Sequence, residues 1–67
     1  MILLNGERSD VQGGTTVAGV LAELGLRPDE RGVAVAVDGE VIPRARWESF
    51  ALDSDARVEV LTAMQGG

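Results

Sequence analysis

The spacing of apolar positions divides the chain into a hairpin, a helix, a hairpin-like pair and a last strand. Met1-Ile2-Leu3-Leu4-Asn5 is a short apolar run closed by Asn5-Gly6, the dipeptide that a two-residue type I′ turn prefers. Arg8 to Gln12 is polar and predicts a returning strand at a sheet edge, ended by Gly13-Gly14. Thr15-Thr16 supplies a helix N-cap, with Thr16 the expected capping residue. Val17, Val20, Leu21 and Leu24 then fall at i, i+3, i+4 and i+7, the buried face of an amphipathic helix. Gly25 stands at the expected left-handed position after the helix, and Pro28 prevents continuation. Gly19 in the interior weakens this helix by about 1 kcal/mol against Ala, unless the sheet packs close there.

Val33-Ala34-Val35-Ala36-Val37 alternates large and small apolar residues, the pattern of a strand with one face under a helix. Asp38-Gly39 is a second type I′ signal, Glu40-Val41-Ile42 returns from it, and Pro43 stops that strand or confines it to an edge. Arg44 to Phe50 lacks a clear period and carries both aromatic residues, Trp47 and Phe50; a turn of helix and a short extended piece to Leu52 fit it. After the turn cluster Asp53-Ser54-Asp55, the stretch Arg57 to Thr62 starts with period-2 alternation and becomes fully apolar, as a central strand would. The reading is α+β: a ββαββ mixed sheet with one helix across one face, the last strand in the middle, parallel to the first. The folded domain is assigned to residues 1–63 and a flexible C-terminal tail to 64–67.

Length and composition narrow the function. Sixty-seven residues at 45% hydrophobic make one globular domain with room for a single core. No apolar run is long enough to span a bilayer and no basic segment precedes an apolar one at Met1, so a cytoplasmic protein is expected. Cys, His and Lys are all absent, which removes disulfides, thiol nucleophiles, imidazole bases, the common zinc sites and side-chain amines. The net charge of −5 argues against nucleic acid as a partner and is compatible with docking on a basic protein surface.

Four stretches are candidates for chemistry. Gly13-Gly14-Thr15-Thr16 could cradle an anion on backbone N–H groups, but it lacks the Lys and the spacing of a phosphate loop; the competing reading is a strand-to-cap connection. Asp53 with Asp55 is too few oxygen ligands for a hard cation and reads as a solvated turn. In Pro43-Arg44-Ala45-Arg46-Trp47, two Arg flanking a lone Trp resemble a nucleic-acid patch only superficially, because the rest of the chain is acidic. The favoured reading is that Trp47 plugs one end of the core with the Arg pair available to a protein partner, so Arg44, Arg46 and Trp47 are the candidate partner contacts. The fourth stretch is the tail, Met64-Gln65-Gly66-Gly67. It is either a frayed terminus or a slim lead that carries an unhindered carboxylate into a narrow channel. The chain offers no nucleophile or base of its own, so activation of that carboxylate would come from another enzyme.

These residues together resemble the ThiS-type sulfur carriers of thiamine biosynthesis, within the ubiquitin-like β-grasp (ThiS/MoaD) superfamily. The resemblance covers nearly the whole chain. It is densest over Val35 to Arg44, then at Trp47, Leu52, Val58-Glu59-Val60 and Gln65-Gly66-Gly67, with Pro43-Arg44-x-x-Trp47 the specific element. Asp38 stands where Asn usually precedes the hairpin Gly, and Asp53-Ser54-Asp55-Ala56 replaces Asp-Gly-Asp with one more residue, read as a bulge at the start of the last strand. The resemblance implies a β-grasp fold and a protein co-substrate, itself not an enzyme and binding no cofactor. A ThiF-type adenylyltransferase would use ATP to adenylate Gly67. Sulfur from a source such as a cysteine desulfurase would convert it to a thiocarboxylate, and a ThiG-type thiazole synthase would take that sulfur. Gly66, Gln65 and Met64 would enter the partner's channel. The alternatives are a carrier for molybdopterin, cysteine or tRNA thiolation, a ubiquitin-like protein modifier, and a binding module with an idle tail.

Overall fold

The computed structural model describes residues 1–11, 14–27 and 29–63. Strands β1 (Ile2–Leu4) and β2 (Glu7–Ser9) precede helix α1 (Val17–Glu23). After it come β3 (Val33–Val37), β4 (Glu40–Val41), a 3-10 turn over Arg44–Arg46, and β5 (Arg57–Thr62). The shorthand ββαββ therefore leaves out the two-residue β4; the sheet has five strands, in the order β2-β1-β5-β3-β4. β5 lies in the middle and parallel to β1, as the sequence predicts, and runs antiparallel to β3 on its other side. β2 is an edge strand and shorter than expected, ending at Ser9 and not Gln12.

Both hairpins are built by their turn dipeptides. Asn5 and Asp38 take left-handed φ of 52° and 51°, each followed by a glycine at 85°, which is what a type I′ turn demands. Helix α1 starts where predicted: the Thr16 side chain accepts from Gly19 N–H at 3.1 Å. The helix stops at Glu23, so Leu24 caps it at 43% exposed and does not complete the buried stripe. Leu26 packs against the core instead, beyond the turn. What crowds Gly19 is its own neighbours and not the sheet: a Cβ there would sit 2.7 Å from the Thr15 methyl, which would have to shift.

One face of the sheet meets α1. Val17, Val20 and Leu21 of the helix join Ile2, Val35, Val37, Val58 and Val60 of the strands in a single core. Trp47, Ile42, Leu52 and Ala56 close it, with Trp47 only 2% exposed and its indole N–H donating to Ile42 O at 2.8 Å. Burying that ring without a partner for its N–H would be costly, and the carbonyl just before Pro43 removes the penalty. Among the described residues no helix is long and apolar enough to cross a membrane.

Candidate functional site at the exit of the last strand

Met64, Gln65, Gly66 and Gly67 lie outside the described residues, so the structure bears on this site through the strand that delivers them. β5 is gripped on both sides along its length. Toward β1, Leu3 N–H bonds Ala56 O at 3.0 Å and Asn5 N–H bonds Val58 O at 2.8 Å. β1 then ends, and the Asn5 side chain takes over: it accepts from Val60 N–H at 2.8 Å and donates to Val60 O at 3.3 Å. A side-chain amide carries both an N–H donor group and a carbonyl acceptor, so it can imitate the backbone pair that a longer β1 would offer. Toward β3 the ladder runs from Val37↔Val58 to Val33↔Thr62, and Ala63 N–H adds a bond to Gly32 O at 2.6 Å. The backbone is thus fixed up to Ala63, the last described residue before the tail.

The other face of the sheet is open, and here the sequence misled. The apolar end of the last strand reads as burial on both faces, yet Leu61 is 68% exposed; β5 alternates as far as Leu61, and Thr62 is exposed as well. Leu61 stands opposite Ala34, and Val41, 72% exposed, stands opposite Ala36, which in turn pairs with Glu59. Two small residues on β3 between Leu61 and Val41 leave a shallow hollow of about 120 Å³, lined by these side chains and Glu59. Exposed large apolar side chains grouped around a hollow are the anatomy of a protein-docking surface. The signal was present: the small positions of Val33 to Val37 mark the face away from the helix, and Val41 and Leu61 flank them.

Arg44 and Trp47 line one hollow with Asp29, Ala45 and Glu48, while Arg46 lies over a different ring. The Trp47 ring is part of the core, 2% exposed. Arg44 stacks on that ring with its guanidinium 4.5 Å from the ring centre and donates to Glu30 O at 2.5 Å. Arg46 lies over Phe50 at 5.5 Å and is exposed. The segment that carries them also occupies the start of α1: Val17 N–H bonds Phe50 O at 3.0 Å and Ala18 N–H bonds Trp47 O at 2.9 Å. With Gly19 N–H taken by Thr16, the first-turn donors are spent and the anion reading of Gly13 to Thr16 loses its basis; Gly13 itself lies outside the described residues. Asp53 to Ala56 closes as a four-residue turn, Ala56 N–H to Asp53 O at 3.1 Å, where a bulge was expected. Among the described residues no three acidic, His or Cys groups are placed to hold a metal.

Asp38, the departure from Asn in the second hairpin, uses only its acceptor. Its carboxylate accepts from Arg57 N–H at 3.0 Å, while its own N–H donates to Arg57 O at 2.8 Å. Either residue type supplies that oxygen.

A model of the ThiS family matches residues 2–67. The crystal structure of the thiamine biosynthesis protein ThiS from Geobacter metallireducens superposes with a TM-score of 0.75 at 26% identity, covering 98% of this chain and 97% of that one. Over 66 residues the chain is 36% identical to a thiazole synthase of Magnetococcus marinus. It is 30% identical over 66 residues to a thiazole synthase of Paramagnetospirillum magneticum. In both cases 98% of this chain is covered, but it spans only 20% of the length of those relatives.

Proposed function

The chain belongs to the ThiS family, and from that premise we propose that it is a sulfur carrier whose working group is the Gly67 carboxylate. The observation that carries this reading is the extent of the family match, which runs through the tail to Gly67. The geometry supports it: a strand gripped up to Ala63 gives the tail a fixed origin beside an open apolar face. A ThiF-type adenylyltransferase docks on that face, with Glu59 meeting a basic residue of the partner. The carboxylate attacks the α-phosphorus of ATP and expels pyrophosphate. A sulfur nucleophile then displaces AMP from the acyl-adenylate, leaving a thiocarboxylate that a thiazole synthase consumes. A protein without Cys and Lys has no internal thiol or side-chain amine to intercept the activated acyl group.

The test uses the chain, a ThiF-type enzyme, ATP and sulfide, read by intact mass. The expected result is a gain equal to exchange of one oxygen for sulfur, reversed when thiazole synthase and its other substrates are added. No gain with an active partner would overturn the reading. Stable conjugates on lysines of other proteins would assign the chain to protein modification instead.

A further inference from the structure

The Pro43-Arg44-x-x-Trp47 element touches the core through Trp47, which leaves the function of Arg44 unexplained by packing. Its guanidinium lies over the ring and its edge meets the loop between α1 and β3. There it donates to Glu30 O at 2.5 Å while stacked 4.5 Å from the Trp47 ring centre. That loop is tied within itself: Glu30 N–H bonds Arg27 O at 3.1 Å, and Arg27 N–H bonds the Glu30 carboxylate at 3.2 Å. Two residues after Glu30, the chain turns through Gly32 at φ +75° and presents the Gly32 carbonyl to Ala63 N–H at 2.6 Å. A side chain would be strained here, since φ is positive and a Cβ on Gly32 would lie a tight 3.1 Å from the Ala63 Cβ. So a continuous path of contacts leads from a ring fixed in the core, through Arg44 and Glu30, to the last described residue before the tail.

We propose that Arg44 is a positioning residue for the tail: it holds the loop before β3 so that Gly32 clamps Ala63 and fixes where and in which direction residues 64–67 leave the fold. A planar guanidinium suits this task, because one face stacks on an aromatic ring while its edge donates in plane. The clamp matters for a tail that must enter a partner's channel. Each free rotation at its origin spreads the terminal group over positions from which no reaction occurs. That functional consequence rests on the sulfur-carrier reading; the clamp itself does not.

The experiment compares Arg44→Ala, Gly32→Ala and Arg46→Ala with the parent chain. Arg46→Ala removes the same charge from the same turn without touching the loop. In the free chain, amide hydrogen exchange at Ala63 should quicken about five-fold in Arg44→Ala and Gly32→Ala. It should stay at the parent rate in Arg46→Ala, while the Val20 amide inside α1 holds in all three. In sulfur loading by the activating enzyme with ATP and sulfide, Arg44→Ala should lower kcat about three- to ten-fold with KM unchanged. Loss of a direct docking contact would raise KM instead. An Ala63 amide that exchanges in Arg44→Ala as in the parent overturns the proposal, as does a loss carried by KM alone. If the parent chain takes up no sulfur from an active enzyme, the carrier reading fails, and the amide result still decides the clamp.

Discussion

Asn5-Gly6 and Asp38-Gly39 turn through nearly the same angles, φ of 52° and 85° against 51° and 85°, and the first side chain of each reaches across to β5. They grip it at opposite ends. Asp38 holds Arg57, where β5 begins, through one exposed bond; Asn5 holds Val60 through two part-buried ones. At the start of β5 the backbone N–H of Asp38 already serves the Arg57 carbonyl, so the side chain need only accept. Near the exit, β1 has run out and the Asn5 side chain must both accept and donate. One turn type thus serves two ends of one strand, and the residue chosen at its first position follows from what the neighbouring backbone has left unsatisfied.

Alanine at either position breaks the comparison hardest. Asn5→Ala loses both bonds to Val60 and places a residue with a Cβ but no local hydrogen bond in the left-handed region, for an expected loss of about 3 kcal/mol in urea unfolding. Asp38→Ala suffers the same backbone strain, but water replaces its single exposed bond, so about 2 kcal/mol is expected. Equal losses would mean that the Val60 contacts contribute nothing beyond the turn.

Exchanging the two residue types sharpens the comparison. Asn5→Asp keeps the turn and the acceptor but faces a carboxylate oxygen toward the Val60 carbonyl, for about 1 kcal/mol. Asp38→Asn keeps the one atom in use and should change stability by less than about 0.5 kcal/mol. A loss at Asp38→Asn matching that at Asn5→Asp would contradict the division of roles. Smallest on this scale is Leu61→Ser, beside Val60 but on the open face, expected within about 0.5 kcal/mol of the parent. Its effect should show instead as a raised KM for the activating enzyme, since only docking is weakened.

The sequence made the local devices legible. Asn-Gly and Asp-Gly named both turns, Thr16 named the cap, and the spacing of Val17, Val20 and Leu21 named the face against the sheet. The central, parallel placement of β5 followed from its apolar content and from the helix that must cross the sheet. What escaped depends on residues brought together by topology. The bonds between Gly32 and Ala63, Arg44 and Glu30, and Asn5 and Val60 leave no trace in local pattern, because each joins segments the fold alone makes neighbours. Leu24 and Leu61 were misplaced for a different reason: periodicity reports which face a side chain takes, and cannot show that the helix stops one residue early or that the face has no cover.

The proposed working group is the Gly67 carboxylate, beyond a strand that stays gripped up to Ala63. Fragmentation mass spectrometry of the loaded chain tests that most directly, run beside a variant carrying one added residue after Gly67. The exchange of oxygen for sulfur should appear only in fragments that contain Gly67, and the extended variant should gain no sulfur while keeping the parent's circular dichroism. Sulfur found on any other residue, or loading of the extended variant at the parent's rate, would contradict the account.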